Sequence, residues 1–294
     1  MADITYSKRF SDRREGRQIR SLPPYSRVIP YILRRRSESV YSISDSVEVS
    51  GIGRWLMEKR TEGWTGLGFL HLLVCAYVRT VSMRPGINRF IAARRLFARN
   101  DIQVILSVKR SNSVSATETS IKVSFSPLDT VFDVYNRLSA AIDEVKADVT
   151  ITPPEKYARL LNKLPRPIMR LAMALIRALD FFDWLPQDWL NASPFHGSVC
   201  VVDLGSQNIV SAVPSLSDFG TVTAAISFGA RRKVREFDGT PEGAERSYVD
   251  YKVSVDQRVA DSYYFASALK CLKYFLKNPA LLELPPEKVE DDVN

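Results

Sequence analysis

The chain has 294 residues, 45% of them hydrophobic, and a net charge of +8 at neutral pH. That length supplies one α/β core of roughly 200 to 250 residues with extensions and excludes a second full domain. Cys75, Cys200 and Cys271 are far apart and flanked by apolar residues, which argues against a disulfide framework or a metal site and for reduced thiols in the cytoplasm. No stretch has the ~18 uncharged apolar residues of a membrane span, and the Arg-rich start lacks the apolar region of a secretory signal, so a soluble, cytoplasmic protein without a transmembrane segment is expected.

The charge is concentrated in residues 1–40, which carry ten Lys and Arg against four acids. Pro23, Pro24 and Pro30 interrupt any helical period there, so this stretch reads as an irregular basic arm. An arm of this kind suits nucleic acid, an anionic membrane face or a neighbouring subunit. No groove-reading motif or aromatic-basic interleaving accompanies it, so nucleic acid is not expected as a partner.

A strand is predicted over residues 41–49. Residues 67–83 are apolar apart from His71 and Arg79, predicting a helix buried on most faces with His71 as a satisfied core residue. Apolar residues alternate over 102–108 and 121–125, the pattern of a hairpin with a long tip. The apolar residues of 131–145 fall at helical spacing, with Asp129 or Thr130 placed to cap the start.

Residues 153–194 form an insertion in which six prolines bracket an apolar helix over 168–184, polar only along Arg170, Arg177 and Asp180. Such a helix can line an acyl channel, lie on a membrane or pack between subunits. Arg170 and Arg177 share one face, so a buried helix with a narrow wet stripe is expected. Strands follow at 198–204, 222–228 and 248–255, then a helix over 262–276, and residues 283–294 read as a solvated acidic tail containing Glu287, Glu290, Asp291 and Asp292.

Between the 248–255 strand and the 262–276 helix stands Asp256, Gln257, Arg258, Val259, Ala260, Asp261, Ser262. This run resembles the DHRxxDG signature of the catalytic core shared by chloramphenicol acetyltransferase and the dihydrolipoyl acyltransferases of 2-oxoacid dehydrogenase complexes. Ser198 to Gly205 is similar to the strand of that family ending in S-N-L-G, and Arg84, Pro85, Gly86, Ile87, Asn88, Arg89 to its P-x-L-N turn. The resemblance covers roughly residues 40–282. It departs at Gln257 for the signature histidine, Val202 for the serine and Ser262 for the glycine. The chain also resembles a group of stand-alone bacterial acyltransferase-subunit-like proteins that share the arm and the S-P-F-H turn, lack the signature histidine and carry no lipoyl domain.

The resemblance implies a chloramphenicol acetyltransferase-like α/β sandwich, a mixed sheet with covering helices, assembled as a homotrimer with a channel between chains. The apolar face over 168–184, wider than one small domain readily covers, points to self-association as well. It implies a basic arm at 1–40, a catalytic-type domain at 41–282 carrying the 153–194 insertion, and the acidic tail. In active relatives the histidine is the general base and a neighbouring chain's serine holds the oxyanion; Gln257 and Val202 stand at those positions. Asp256, Arg258 and Asp261 are expected to be structural, the second signature aspartate making an ion pair that shapes the turn. No cofactor is expected to be tightly bound. Coenzyme A or an acyl-coenzyme A is the expected ligand, with Arg89, Arg94 and Arg95 among the cations that attract its phosphates. The implied function is that of a degenerate, non-catalytic scaffold or acyl/coenzyme A-binding protein. The alternative is an acyltransferase of altered chemistry that uses His196, in the turn before the 198–204 strand, as a displaced base.

Overall fold

The computed structural model describes residue 9 and residues 11–109, 118–147, 153–237 and 243–293. In chain order the first half runs β1 (Gly16–Gln18), α1 (Pro24–Ile32), β2 (Val40–Glu48), α2 (Ser50–Thr61), α3 (Phe69–Met83), β3 (Arg89–Ala92), β4 (Arg95–Arg99), β5 (Ile102–Lys109), β6 (Glu118–Phe125) and α4 (Val131–Ala147). The second half runs α5 (Pro153–Asn162), α6 (Arg166–Phe181), α7 (Gln187–Ala192), β7 (Val199–Asp203), β8 (Ala224–Glu236), β9 (Ala244–Asp256) and α8 (Ser262–Lys277).

The main sheet has the order β2-β9-β8-β7-β5-β6; β7 is parallel to both β5 and β8, and the other pairs are antiparallel. The parallel centre is the most apolar part, with Val104, Val199, Val201 and Ile226 buried, as strands covered on both faces require. A second sheet, β1-β4-β3, is wholly antiparallel.

Every residue of α3 from His71 to Ser82 is buried, and the helix packs against α4 and α8. Arg79 is tolerated there because its guanidinium donates to the carbonyls of Leu281 (3.2 Å) and Leu284. Thr130 caps α4 reciprocally. Its hydroxyl accepts the Asp133 N–H at 3.3 Å while the Asp133 carboxylate accepts the Thr130 N–H at 2.9 Å.

Three expectations are corrected. Residues 1–8 and 10 of the basic arm lie outside the described residues; the rest is not irregular, since β1 pairs with β4 and α1 starts at Pro24, whose missing N–H costs nothing in a first turn. The insertion helix is not buried within its own chain, where no residue of α6 is, so any cover for it has to come from outside the chain. The tail is not free in solvent: Asp292 makes a bidentate pair with Arg89 (2.8 Å on Nε), and the Glu290 N–H donates to Ser82 O at 2.8 Å.

Ala93 and Arg94, the two-residue turn joining β3 to β4, have φ of 47° and 60°. Both values lie in the left-handed region that a tight hairpin demands and that side chains with a Cβ resist. Ala93→Asn should therefore raise stability by about 0.5 to 1 kcal/mol in urea denaturation, since asparagine tolerates that conformation at lower cost.

His71 Nδ1 accepts the Gly68 N–H at 3.2 Å, and burial pushes the imidazole down to about 4. A folded pKa below the unfolded value of about 6.5 means that the unfolded state binds the extra proton. The stability contributed by neutral His71 is full above that unfolded value and is lost as pH falls toward 4. A His71→Gln variant, with nothing to titrate, should lose less stability than the wild-type protein over that window in urea titrations at stepped pH.

Candidate functional site

β9 ends by carrying Asp256 into the protein with no exposure. Its carboxylate accepts from Arg258 Nε (2.8 Å) and Nη2 (2.6 Å) and from Ser39 Oγ (2.9 Å), and Arg36 Nε lies 3.5 Å away. Arg258 also donates to Leu33 O at 2.9 Å, and Arg36 to the carbonyls of Ser217 and, at 2.9 Å, Gly220. The ion pair expected at Asp261 is thus made by Asp256. Asp261 instead caps α8, accepting the Tyr264 N–H at 2.7 Å. Gln257, between the paired residues, donates its backbone N–H to Ser39 O at 3.1 Å and exposes its side chain to solvent.

Beside this cluster opens a cavity of 580 Å³ whose walls include Arg34, Arg35, Arg94 and Arg177, with Asp180 and Asp218 facing them. The Arg94 guanidinium lies 5.7 Å from the centroid of the Tyr31 ring. Burial pushes the Asp218 carboxyl up, but hydrogen bonds from the Ser37 N–H and hydroxyl, with Arg36 and Arg35 nearby, hold it below its ordinary value. Arg89 is spent on Asp292, and Arg95 lines a neighbouring cavity of 530 Å³ with Arg20 and Arg27. Of the three arginines expected to meet phosphates, Arg94 is the one in the cavity beside Asp256.

His196 is fully buried in the turn between α7 and β7. Its Nδ1 is 2.8 Å from Ser193 Oγ and its Nε2 is 3.4 Å from Asp180 Oδ1, with Trp189 and Phe219 edge-on to the ring. Burial pushes Asp180 up, yet the contact with His196 and the Arg13 guanidinium at 3.0 Å hold it below its ordinary value. The Phe195 N–H donates to Ser193 Oγ at 3.3 Å, closing the turn on itself. Gly220, with φ of +85°, lies against this turn, and a Cβ there would sit 2.0 Å from Phe195 O. The sequence shows Asp180 only as part of the polar stripe of its helix, and nothing in it marks the convergence of Ser193, Asp180 and Arg13 around His196. Ser193 also lines a largely apolar cavity of 520 Å³ walled by Tyr157, Met173, Trp189 and Phe219.

The register fixes how far apart the three candidate positions lie. Val199, Ala224 and Val255 form one row across β7, β8 and β9. Gln257 lies two residues beyond that row and Val202 three residues beyond it in the opposite direction, and with two strand spacings between them they are roughly 19 Å apart at ~3.3 Å per residue and ~4.8 Å per strand. His196 lies at the same end as Gln257 but two strands away, roughly 10 Å. One chain therefore brings none of the three together. Among the described residues no group of three or more His, Cys, Asp or Glu is placed to hold a metal ion.

No protein-family model matches the chain, and no curated protein sequence matches it. Solved structures do. A probable dihydrolipoamide acetyltransferase from Listeria monocytogenes superposes with a TM-score of 0.55 at 14% identity, over 88% of this chain and 94% of that one. The cubic core of a pyruvate dehydrogenase multienzyme complex gives 0.58 at 11% identity, over 91% and 95%. The fold is that of the 2-oxoacid dehydrogenase acyltransferase core. Chloramphenicol acetyltransferase shares it, with a TM-score of 0.51 at 12% identity over 84% of this chain and 92% of that one.

Two neighbouring positions should respond oppositely to substitution. Asp256→Asn leaves Arg36 and Arg258 buried without their carboxylate and should cost about 3 to 5 kcal/mol in urea denaturation. Gln257→His, on an exposed side chain, should change stability by less than about 0.5 kcal/mol.

Proposed function

We propose that this chain is a degenerate acyltransferase-fold protein that binds coenzyme A or an acyl-coenzyme A reversibly and does not transfer the acyl group. The observation that carries this reading is a contrast within one turn. Asp256 and Arg258 keep a buried ion pair, while the residue between them, where the fold's chemistry needs a base, is an exposed glutamine. An amide takes up no proton near neutral pH. Loss of a general base forfeits about 10² to 10⁴ in rate, and the missing hydroxyl at Val202 removes an oxyanion donor worth about 10² to 10³. The walls of the cavity beside Asp256 carry more guanidinium than carboxylate groups, Arg34, Arg35, Arg94 and Arg177 against Asp180 and Asp218, a balance suited to phosphates.

Assembly as a homotrimeric scaffold belongs to the same reading. The roughly 19 Å between Gln257 and Val202 means that a shared site needs a neighbouring copy, and one structural neighbour forms the core of a multienzyme complex. The alternative, acyl transfer with His196 as base, is disfavoured by its enclosure between Trp189 and Phe219.

Acetyl transfer from acetyl-coenzyme A to dihydrolipoamide or chloramphenicol should run no faster than in buffer, and Gln257→His alone should stay at that background. Calorimetry should still register acetyl-coenzyme A binding, weakened roughly tenfold or more in Arg94→Ala. A wild-type rate above buffer that vanishes in His196→Ala would overturn the reading, as would the absence of any binding.

A further inference from the structure

The outer face of α6 is apolar where a surface helix is normally polar. Ile168, Leu171, Leu175 and Phe182 lie along one side at helical spacing, with Trp184 just beyond, and Leu171, Leu175 and Trp184 are 71%, 58% and 66% exposed. None of this area does folding work. The helix is held from beneath by the half-buried Met169, Met173 and Ile176. Its C-terminal end is clamped by polar contacts: Arg13 reaches the Asp180 carboxylate and carbonyl at 3.0 and 2.7 Å, and Arg14 donates to Leu185 O at 2.9 Å.

The charge beside this ridge has one sign. Lys163, Arg166 and Arg170 are all exposed, and among the described residues no ion pair neutralises them. The acids nearest along the helix, Asp180 and Asp183, are already bound by Arg13. An exposed Leu/Ile ridge ending in Phe182 and Trp184 beside a row of uncompensated cations is the composition of a helix that lies in the plane of a bilayer interface. At 16 residues α6 is about 24 Å long, and among the described residues no helix is long and apolar enough to cross a membrane.

We propose that α6 docks the protein peripherally on an anionic phospholipid surface, with Ile168, Leu171, Leu175, Phe182 and Trp184 entering the headgroup boundary and the neighbouring cations meeting lipid phosphates. Charge complementarity favours an anionic bilayer over an isologous contact with a second copy of the chain, which would bring the same unneutralised cations to the contact. Self-association through other faces is compatible with this docking, and the proposal stands apart from the coenzyme A reading.

The test is sedimentation of the full chain with vesicles of phosphatidylcholine alone and of phosphatidylcholine mixed with phosphatidylglycerol. Partitioning should be on the order of 100-fold stronger on the anionic vesicles, should fall with added salt, and should be accompanied by a blue shift of tryptophan emission that Trp184→Phe removes. Leu171→Asp with Leu175→Asp should abolish partitioning while leaving circular dichroism and Tm unchanged, since neither side chain is buried. Arg166→Gln with Arg170→Gln should weaken binding to the anionic vesicles. Failure to bind either vesicle, or unchanged binding by the Leu→Asp pair, would overturn the proposal. So would loss of an oligomer in that pair without any vesicle binding by the parent, which would make a second copy the occupant.

Discussion

The buried carboxylate of Asp256 is the point on which this structure turns. An isolated charge of that kind is prohibitively costly inside a protein, so the chain must bring partners to it. Arg258 comes from the turn itself, and Arg36 and Ser39 come from the segment between α1 and β2. Arg36 then reaches Ser217 and Gly220, and Arg258 reaches Leu33. One charge thereby fixes the ends of β9 and α1 and the segment leading into β8, and those segments are the walls of the arginine-lined cavity. Conserving the pair preserves the cavity whatever happens to the residue between them.

Much of this architecture was legible in the amino-acid sequence, and where it was not the reason is physical. The unbroken apolar run of α3, the alternation in β5 and β6 and the periodicity of α4 and α8 are local patterns, and each element lies within a few residues of its expectation. The motif residues around Gln257 and Val202 led to the acyltransferase fold, although the overall identity to solved structures is as low as 11 to 14%. The arm was misread because proline content was weighed without β4, whose edge gives residues 16–18 a partner. The tail was misread because its acids look solvated until Arg89, some two hundred residues earlier, is placed beside Asp292.

The candidate site was legible only as single positions. Gln257 and Val202 were identified individually, but their separation along the sheet depends on the register of three strands. Arg89, Arg94 and Arg95 are near neighbours in sequence, yet a hairpin sends them in different directions: one to an ion pair, one to the cavity beside Asp256 and one to the next cavity. For α6 the composition was legible, and whether its own chain covers it was not. An apolar stripe has the same pattern whether a core, a neighbouring molecule or a bilayer covers it, and only the placement of Arg13 and Arg14 at its end shows that the fold holds the helix without burying it.

Arg17, in β1, donates to the backbone carbonyls of both Asp292 and Val293, across more than 270 positions of chain. A strand near residue 16 is therefore secured by residues near 292, and Arg13 and Arg14 likewise rest on Asp180, Asp183 and Leu185. Contacts of such sequence separation cost loop entropy before they return anything, and they slow folding. The β1-β4-β3 sheet can pair from residues 16–99 alone, but its attachment to the body closes only when the distant segments carrying Asp180, Asp292 and Val293 have folded against it.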